Sequence, residues 1–261
     1  MLQEILERFR QHDRRALSRL LTLAARGEHV PVIGESLRDD GSTRPATTPH
    51  SPLTTHHSPL TIAITGSGGV GKSSLIGKLI ELLRAKGHAV AVLACDPQSS
   101  LTGGAMLGDR IRMTSRSEDE GVFIRSLAVP SGHEGIAPNL DLMIRLLGRF
   151  GFGTVLVETA GTGQTDTAVR QLADVVLLLL QPETGDELQW LKAGVLEIAD
   201  VVVVHKADLP GAERLETQVH DMLNLPGCRA VPVLRASANK GQGVEELWRC
   251  IEDVHPRSAT S

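Results

Sequence analysis

Tyrosine is absent from this chain, and aromatic residues of all kinds make up only 2% of its 261 residues. A core built without aromatics must be aliphatic, and Leu, Val, Ile and Ala supply most of the 41% hydrophobic content. That content suffices for one sizeable α/β core, or a core plus a small appendage. Cysteine is scarce as well. Cys95, Cys228 and Cys250 are widely spaced and odd in number, which argues against a disulfide framework and for a reducing cytoplasm. There is no excess of basic charge. The net charge is −4, so a global field for nucleic acid is missing and no nucleic-acid partner is expected. Long apolar runs are missing too. The run Val175 to Leu180 has the length of a buried strand and falls far short of the roughly 20 residues a membrane span requires. The opening MLQEILERFRQHDRR is too charged for a signal peptide. These absences predict a soluble, cytoplasmic protein with no membrane partner.

What is present falls into distinct stretches. Apolar residues at Leu2, Ile5, Leu6 and Phe9, then Leu17, Leu20 and Leu21, follow helical spacing with a break near His12-Asp13. One or two amphipathic helices are predicted there, forming an N-terminal helical arm over residues 1–37. Residues 38–60, rich in Ser, Thr, Pro and His, read as a flexible linker. Within it His50-Ser51-Pro52-Leu53-Thr54 recurs as His57-Ser58-Pro59-Leu60-Thr61, a short duplication of the kind a spacer tolerates. From Thr61 onward, short aliphatic runs alternate with helical patterns. Strands are expected at 61–65, 88–94, 122–127, 154–158, 175–180, 201–205 and 230–234, and helices at 72–86, 187–198, 211–223 and about 243–254. Such alternation implies crossover units and a three-layer α/β fold, a mostly parallel sheet with helices on both faces. Because the first of these strands runs into the phosphate-binding loop Gly66 to Ser73, the expected fold class is that of the P-loop NTPases, over residues 61–255, with 256–261 as a disordered tail.

The strand Thr61–Thr65 runs into Gly66-Ser67-Gly68-Gly69-Val70-Gly71-Lys72-Ser73. This fits G-x-x-x-x-G-K-[ST] in the strand-then-helix context the motif requires. Glycines let backbone N–H groups turn inward around phosphates, and the helix N-terminus adds its dipole. Gly68, Gly69, Val70, Gly71, Lys72, Ser73 and Ser74 are the predicted nucleotide contacts, with Lys72 reaching the β- and γ-phosphates and Ser73 offering its hydroxyl to Mg²⁺. Carboxylates for the metal stand at suggestive places. Asp96 ends the second strand, Glu158 ends the fourth, and Asp109 lies in the Gly-rich loop 103–112. In parallel sheets the C-terminal strand ends converge on the ligand crevice.

The base is addressed farther on. His205-Lys206-Ala207-Asp208 resembles the N-K-x-D element of GTPases, in which Asp takes the guanine N1 and N2 hydrogens and the Lys stem lies along the base. Ser237-Ala238-Asn239 resembles the S-A-x element, whose backbone amide meets guanine O6. In this order the pair favours guanine, so GTP and GDP are the expected ligands. His205 stands where the element carries Asn; its imidazole can donate one hydrogen bond but has a different shape.

The intervening motifs resemble one family. Asp96-Pro97-Gln98-Ser99-Ser100, Gly103 to Met113, Val122 to Ser126, Glu158 to Gln164, Gly185 to Gln189 and the arm's Asp13 to Leu17 are similar to the methylmalonyl-CoA mutase-associated GTPases of the MeaB/ArgK type. The resemblance covers most of residues 1–37 and 61–255. It implies a GTP-hydrolysing chaperone of an adenosylcobalamin-dependent acyl-CoA mutase, gating cofactor loading or protecting the mutase. It further implies that Ser73, Asp96, Asp109 and Glu158 surround Mg²⁺, that loop 97–113 and segment 159–166 sense the γ-phosphate, and that Pro182 to Lys192 couples to the mutase. Hydrolysis is expected to be slow until the partner accelerates it. Gln164 either orients the attacking water or is a solvated residue opening a helix at 165–172. The chain departs from the family at His205 and at 128–136, and it stops soon after Ile251 where the family commonly carries a helical extension for homodimerisation. Other readings stay open. A nickel-type metallochaperone GTPase would need a Cys/His site near the switches, for which Cys95 and the linker histidines are the candidates. A partitioning or transport-associated ATPase shares the phosphate loop but carries an extra lysine where this chain has Gly66-Ser67. A relative that binds without hydrolysing is the third.

Overall fold

The computed structural model describes residues 1–38, 58–97, 119–129, 135–161, 166–182 and 195–255. Asp109, Gln164, almost all of the linker, most of loop 97–113, the segment 183–194 and the tail lie outside them.

Seven strands form one parallel sheet: β1 (Leu60–Gly66), β2 (Val90–Pro97), β3 (Val122–Val129), β4 (Thr154–Glu158), β5 (Val175–Leu180), β6 (Val201–His205) and β7 (Val233–Ala236), in the order β3-β2-β4-β1-β5-β6-β7. The chain starts near the middle, winds to one edge, then returns past β1 to the other. Strands β1, β4, β5 and β6 are buried along their whole length. That is why they read as unbroken aliphatic runs.

The two faces of the sheet are filled differently. Ile62, Ile64, Val92, Leu156, Leu177 and Val203 pack under α4 (Lys72–Ala85), joined farther along the chain by Leu247, Trp248 and Ile251 of the C-terminal helix. The opposite face presents smaller residues near its centre, Ala63 and Ala91 among them. Against that face lie α5 (Leu140–Phe150) and the arm helices α1 (Leu2–Arg10), α2 (Arg14–Ala25) and α3 (Val30–Ser36). A third cluster gathers Leu178, Leu180, Val202 and Val204 beneath α7 (Ala212–Leu223), which follows the one-turn α6 (Val195–Ile198). The last helix, α8, is Val244–Val254. No described helix is long and apolar enough to cross a membrane.

The break expected at His12-Asp13 is there. Asp13 caps α2, its carboxylate accepting from the backbone N–H of Arg15 and Ala16. The arm is bound to the sheet and does not float. Leu17, Leu20 and Leu21 are fully buried, the Arg14 guanidinium donates to the carbonyls of Glu120 and Val122, and Asn139 Nδ2 donates to Ala24 O. Helix α3 was not foreseen; Pro31 sits in its first turn, where a missing N–H costs nothing. The expected helix at 165–172 is a 3-10 helix over Asp166–Gln171, and of the one expected at 187–198 the described part is Val195–Ile198.

Candidate functional site

Every candidate that the structure describes stands at the carboxyl end of a strand, or just past it. The loop Gly66–Ser73 leaves β1 and enters α4 without a break. Gly69 and Gly71 have φ of +77° and +100°, values that suit glycine alone, and Gly68 and Gly69 face solvent. Gly66 is tight for a second reason: a Cβ there would lie 2.5 Å from Leu179 O of the neighbouring strand. The Lys72 ammonium folds over the loop and donates to Gly66 O at 2.9 Å and Ser67 O at 3.1 Å. Ser74, the third residue of α4, is half-buried.

The next strand in the sheet completes the phosphate end. Ser73 Oγ donates to Glu158 Oε1 at 2.7 Å, and both side chains are buried. Asp96 lies on the adjoining strand, two residues beyond Ala94, which pairs in register with Glu158. A hydroxyl and two carboxylates at neighbouring strand ends are hard oxygen donors, the chemistry that Mg²⁺ takes. After Glu158, the Thr159 N–H donates to Ile64 O at 3.1 Å, and the Thr159 hydroxyl lies 3.3 Å from that of Thr65. The chain then turns back onto the phosphate loop at Gly161, whose φ is +66°. A Cβ at Gly161 would lie 2.5 Å from Lys72 Nζ and 3.0 Å from Gly66 O. Gly161 lies in the segment 159–166 that the family resemblance gave as a sensor of the γ-phosphate, and its close approach to Lys72 is what the sequence left unsaid.

The base end is assembled from β6 and β7. Lys206 adopts the left-handed conformation, φ +55°, and starts a turn that Leu209 N closes onto Lys206 O at 2.9 Å. Asp208 is exposed and accepts a short hydrogen bond from the Ser237 hydroxyl. That bond is the main reason its carboxyl titrates below the usual range, with the Lys240 charge adding to it. The loop holding Ser237, Ala238 and Asn239 is closed by paired backbone hydrogen bonds between Ser237 and Gln242. Asn239 is exposed on it.

His205 departs from the expected picture. It is 3% exposed, and both ring nitrogens face protein. Nδ1 lies 2.8 Å from Val70 O of the phosphate loop, and Ala238 N–H points at Nε2 from 3.4 Å. The residue therefore joins the two ends of the site and turns no nitrogen toward the crevice. Cys95 is buried among apolar side chains on β2, placed as a packing residue.

Comparison with known proteins agrees with this geometry. The profile of the family described as methylmalonyl Co-A mutase-associated GTPase MeaB matches residues 53–260. A putative GTPase of Pyrococcus abyssi is 38% identical over 97% of this chain and 76% of its own length. The GTPase ArgK of Escherichia coli is 33% identical over 97% of this chain and 75% of its own. The mouse mitochondrial methylmalonic aciduria type A homolog is 36% identical over 77% of this chain and 50% of its own. Among solved structures, an LAO/AO transport system kinase superposes with a TM-score of 0.69 at 26% identity, over 98% of this chain and 75% of that one. The hydrogenase maturation factor HypB of Archaeoglobus fulgidus shares the fold, with a TM-score of 0.56 at 17% identity over 76% and 90% of the two chains. A family match over most of the chain, on a fold that places the phosphate loop and both base motifs at one edge of a parallel sheet, leads to one assignment: this chain is a GTPase of the methylmalonyl-CoA mutase-associated (MeaB) family.

Proposed function

We propose that this GTPase is a nucleotide-operated switch in the cytoplasm that serves as chaperone to an adenosylcobalamin-dependent acyl-CoA mutase, gating cofactor loading or protecting the enzyme. Membership of a family described by its association with methylmalonyl-CoA mutase carries the reading. The name of the mouse relative supports it. The HypB likeness is one of fold alone, so the nickel reading gains nothing from it.

The chemistry follows from the residues. Phosphoryl transfer calls for positioning and charge neutralisation more than for covalent catalysis. Lys72 would meet the β- and γ-phosphates while the loop N–H groups cradle them. Ser73, Glu158 and Asp96 would hold Mg²⁺, with Asp109 from outside the described residues, and the bound ion would neutralise charge on the phosphates. Asp208 would pair with guanine N1 and N2, and the Lys206 stem would lie along the base. Gln164 is the proposed water-orienting group.

The switch has a physical basis in Gly161. It rests against Lys72 Nζ and the loop backbone, so a γ-phosphate held by Lys72 would bear on the segment that starts there. A partner that binds one arrangement of this segment better can be driven by the nucleotide; a partner indifferent to it cannot. The test is capture of a purified adenosylcobalamin-dependent mutase with GTP or GDP bound, alongside turnover assays. Retention should differ between the two states, and the mutase should accelerate a slow hydrolysis. Fast intrinsic turnover, indifferent to the mutase, would overturn the proposal.

A further inference from the structure

We propose that His205 is a positioning residue for the nucleotide: a neutral imidazole with its proton on Nδ1 that bolts the phosphate loop to the base loop, and that releases them when it takes a second proton. This rests on the reading of those two loops as the guanine-nucleotide site.

The partners dictate the protonation state. Val70 O, 2.8 Å from Nδ1, is a carbonyl and can only accept, so Nδ1 must carry hydrogen. Ala238 N–H is a donor, so Nε2, 3.4 Å away, must present its lone pair. Only one form of the ring satisfies both contacts. The ring's place is also fixed sterically. A Cβ on Gly71 would lie 2.5 Å from His205 Cε1 and 2.6 Å from Nδ1, so the imidazole fills the space that a side chain at 71 would occupy. Thus the final glycine of the phosphate loop and the histidine are matched to each other, and β6, the loop after β1 and the loop after β7 meet on one ring.

A doubly protonated ring would aim Nε2–H at the Ala238 N–H, donor against donor, and would bury a charge. Burial is also the main reason the group titrates below its ordinary 6.5. The Val70 carbonyl works the other way, as does Asp208, while Lys206 adds to the lowering. Of the other charged groups on the packed elements, Lys72 turns toward Gly66 O and Ser67 O, Lys240 acts on Asp208, and Arg235 of β7 pairs with Glu213 and Glu216. Because the assembled pocket disfavours the proton, its contribution is complete above pH 6.5 and is lost as pH falls through the lowered value. Asp208 titrates below its ordinary range, held there chiefly by the Ser237 hydroxyl.

The donor count adds a specificity consequence. A neutral imidazole has one N–H, and Val70 takes it. An asparagine amide has two, could make the same pair of contacts, and would keep one hydrogen for the acceptor edge of the purine. It also does not titrate.

The experiment is equilibrium binding of a fluorescent GDP analogue to the full chain between pH 5 and 8, with circular dichroism at each pH to confirm folding. The wild type should lose roughly tenfold in affinity for each unit below the histidine's pKa. His205→Asn should bind at least as tightly as the wild type at pH 7.5 and show a flat profile. His205→Ala should bind weakly throughout. A flat wild-type profile, an Asn variant that repeats the wild-type loss, or an Ala variant that binds like the wild type would each overturn the proposal. If His205→Ala does not fold, the comparison of wild type with Asn decides. Lys72→Ala separates this from the site reading. Undiminished binding in that variant would remove the nucleotide site itself, whereas failure confined to the His205 variants removes only the latch.

Discussion

At the residue scale the most informative position is Gly161. Its φ of +66° and its distance to the loop allow no side chain. Gly161→Ala would put a methyl 2.5 Å from Lys72 Nζ, which can bend away, and 3.0 Å from Gly66 O, which cannot. The folded chain should survive, but GTP turnover should fall by about two orders of magnitude, the usual cost of displacing a reacting group by an ångström. Single-turnover hydrolysis at saturating GTP checks this; a rate like that of the wild type would show the contact to be idle. The motif residues were legible because they are local: Lys72 and Ser73 follow their glycines in a spacing that chemistry demands. The approach of Gly161 to Lys72 and the true contacts of His205 were not, since each depends on which strands lie side by side. A string of residues does not say that the end of β4 folds back over the loop after β1.

At the element scale the same division holds. Buried strands such as Val201–His205 announced themselves as aliphatic runs. The ends of strands at and beside the edges did not. The run Ala230-Val231-Pro232-Val233-Leu234 suggested a strand at 230–234, yet β7 is Val233–Ala236. Pro232 has no N–H for the ladder, and the strand continues until Ala236 stands opposite His205. Strand β2 likewise runs to Pro97 because Val129 of β3 accompanies it. The arm helices were legible as amphipathic, but their attachment was not. Leu20 of α2 is completely buried in the cluster shared with the sheet. Leu20→Ala should cost about 2–5 kcal/mol, measured by urea denaturation. A loss below ~0.5 kcal/mol, the range of a surface change, would mean that the arm contributes little to the fold.

For the whole molecule, ligand and stability are linked through the strand ends. On the proposed site, a nucleotide would bridge loops from β1, β4, β6 and β7 and so bind the folded state alone. GDP at a hundred times its dissociation constant should therefore stabilise the protein by about 2.7 kcal/mol. The rise in melting temperature should shrink when Mg²⁺ is chelated and vanish in Lys72→Ala. An equal rise with ADP would argue against guanine selectivity. Total fold class was legible from the alternation of runs, because a parallel sheet buried on both faces leaves that trace in any sequence that forms it. The burial of His205 between two loops was not, because it exists only once seven strands are in order.

The two hydrogen bonds from Arg14 to Glu120 O and Val122 O have a consequence for chain association. Strand β3 is an outermost strand of the sheet. An outer strand offers a template on which a second chain can add its own. The guanidinium occupies carbonyls at the start of that template, and its contact with the Phe123 ring, 5.6 Å from the centroid, holds it there. The donor and its acceptors are more than a hundred residues apart, so a nascent chain carries the guard long before it has the edge to be guarded. The guard on this edge is therefore set only by a late, long-range docking event.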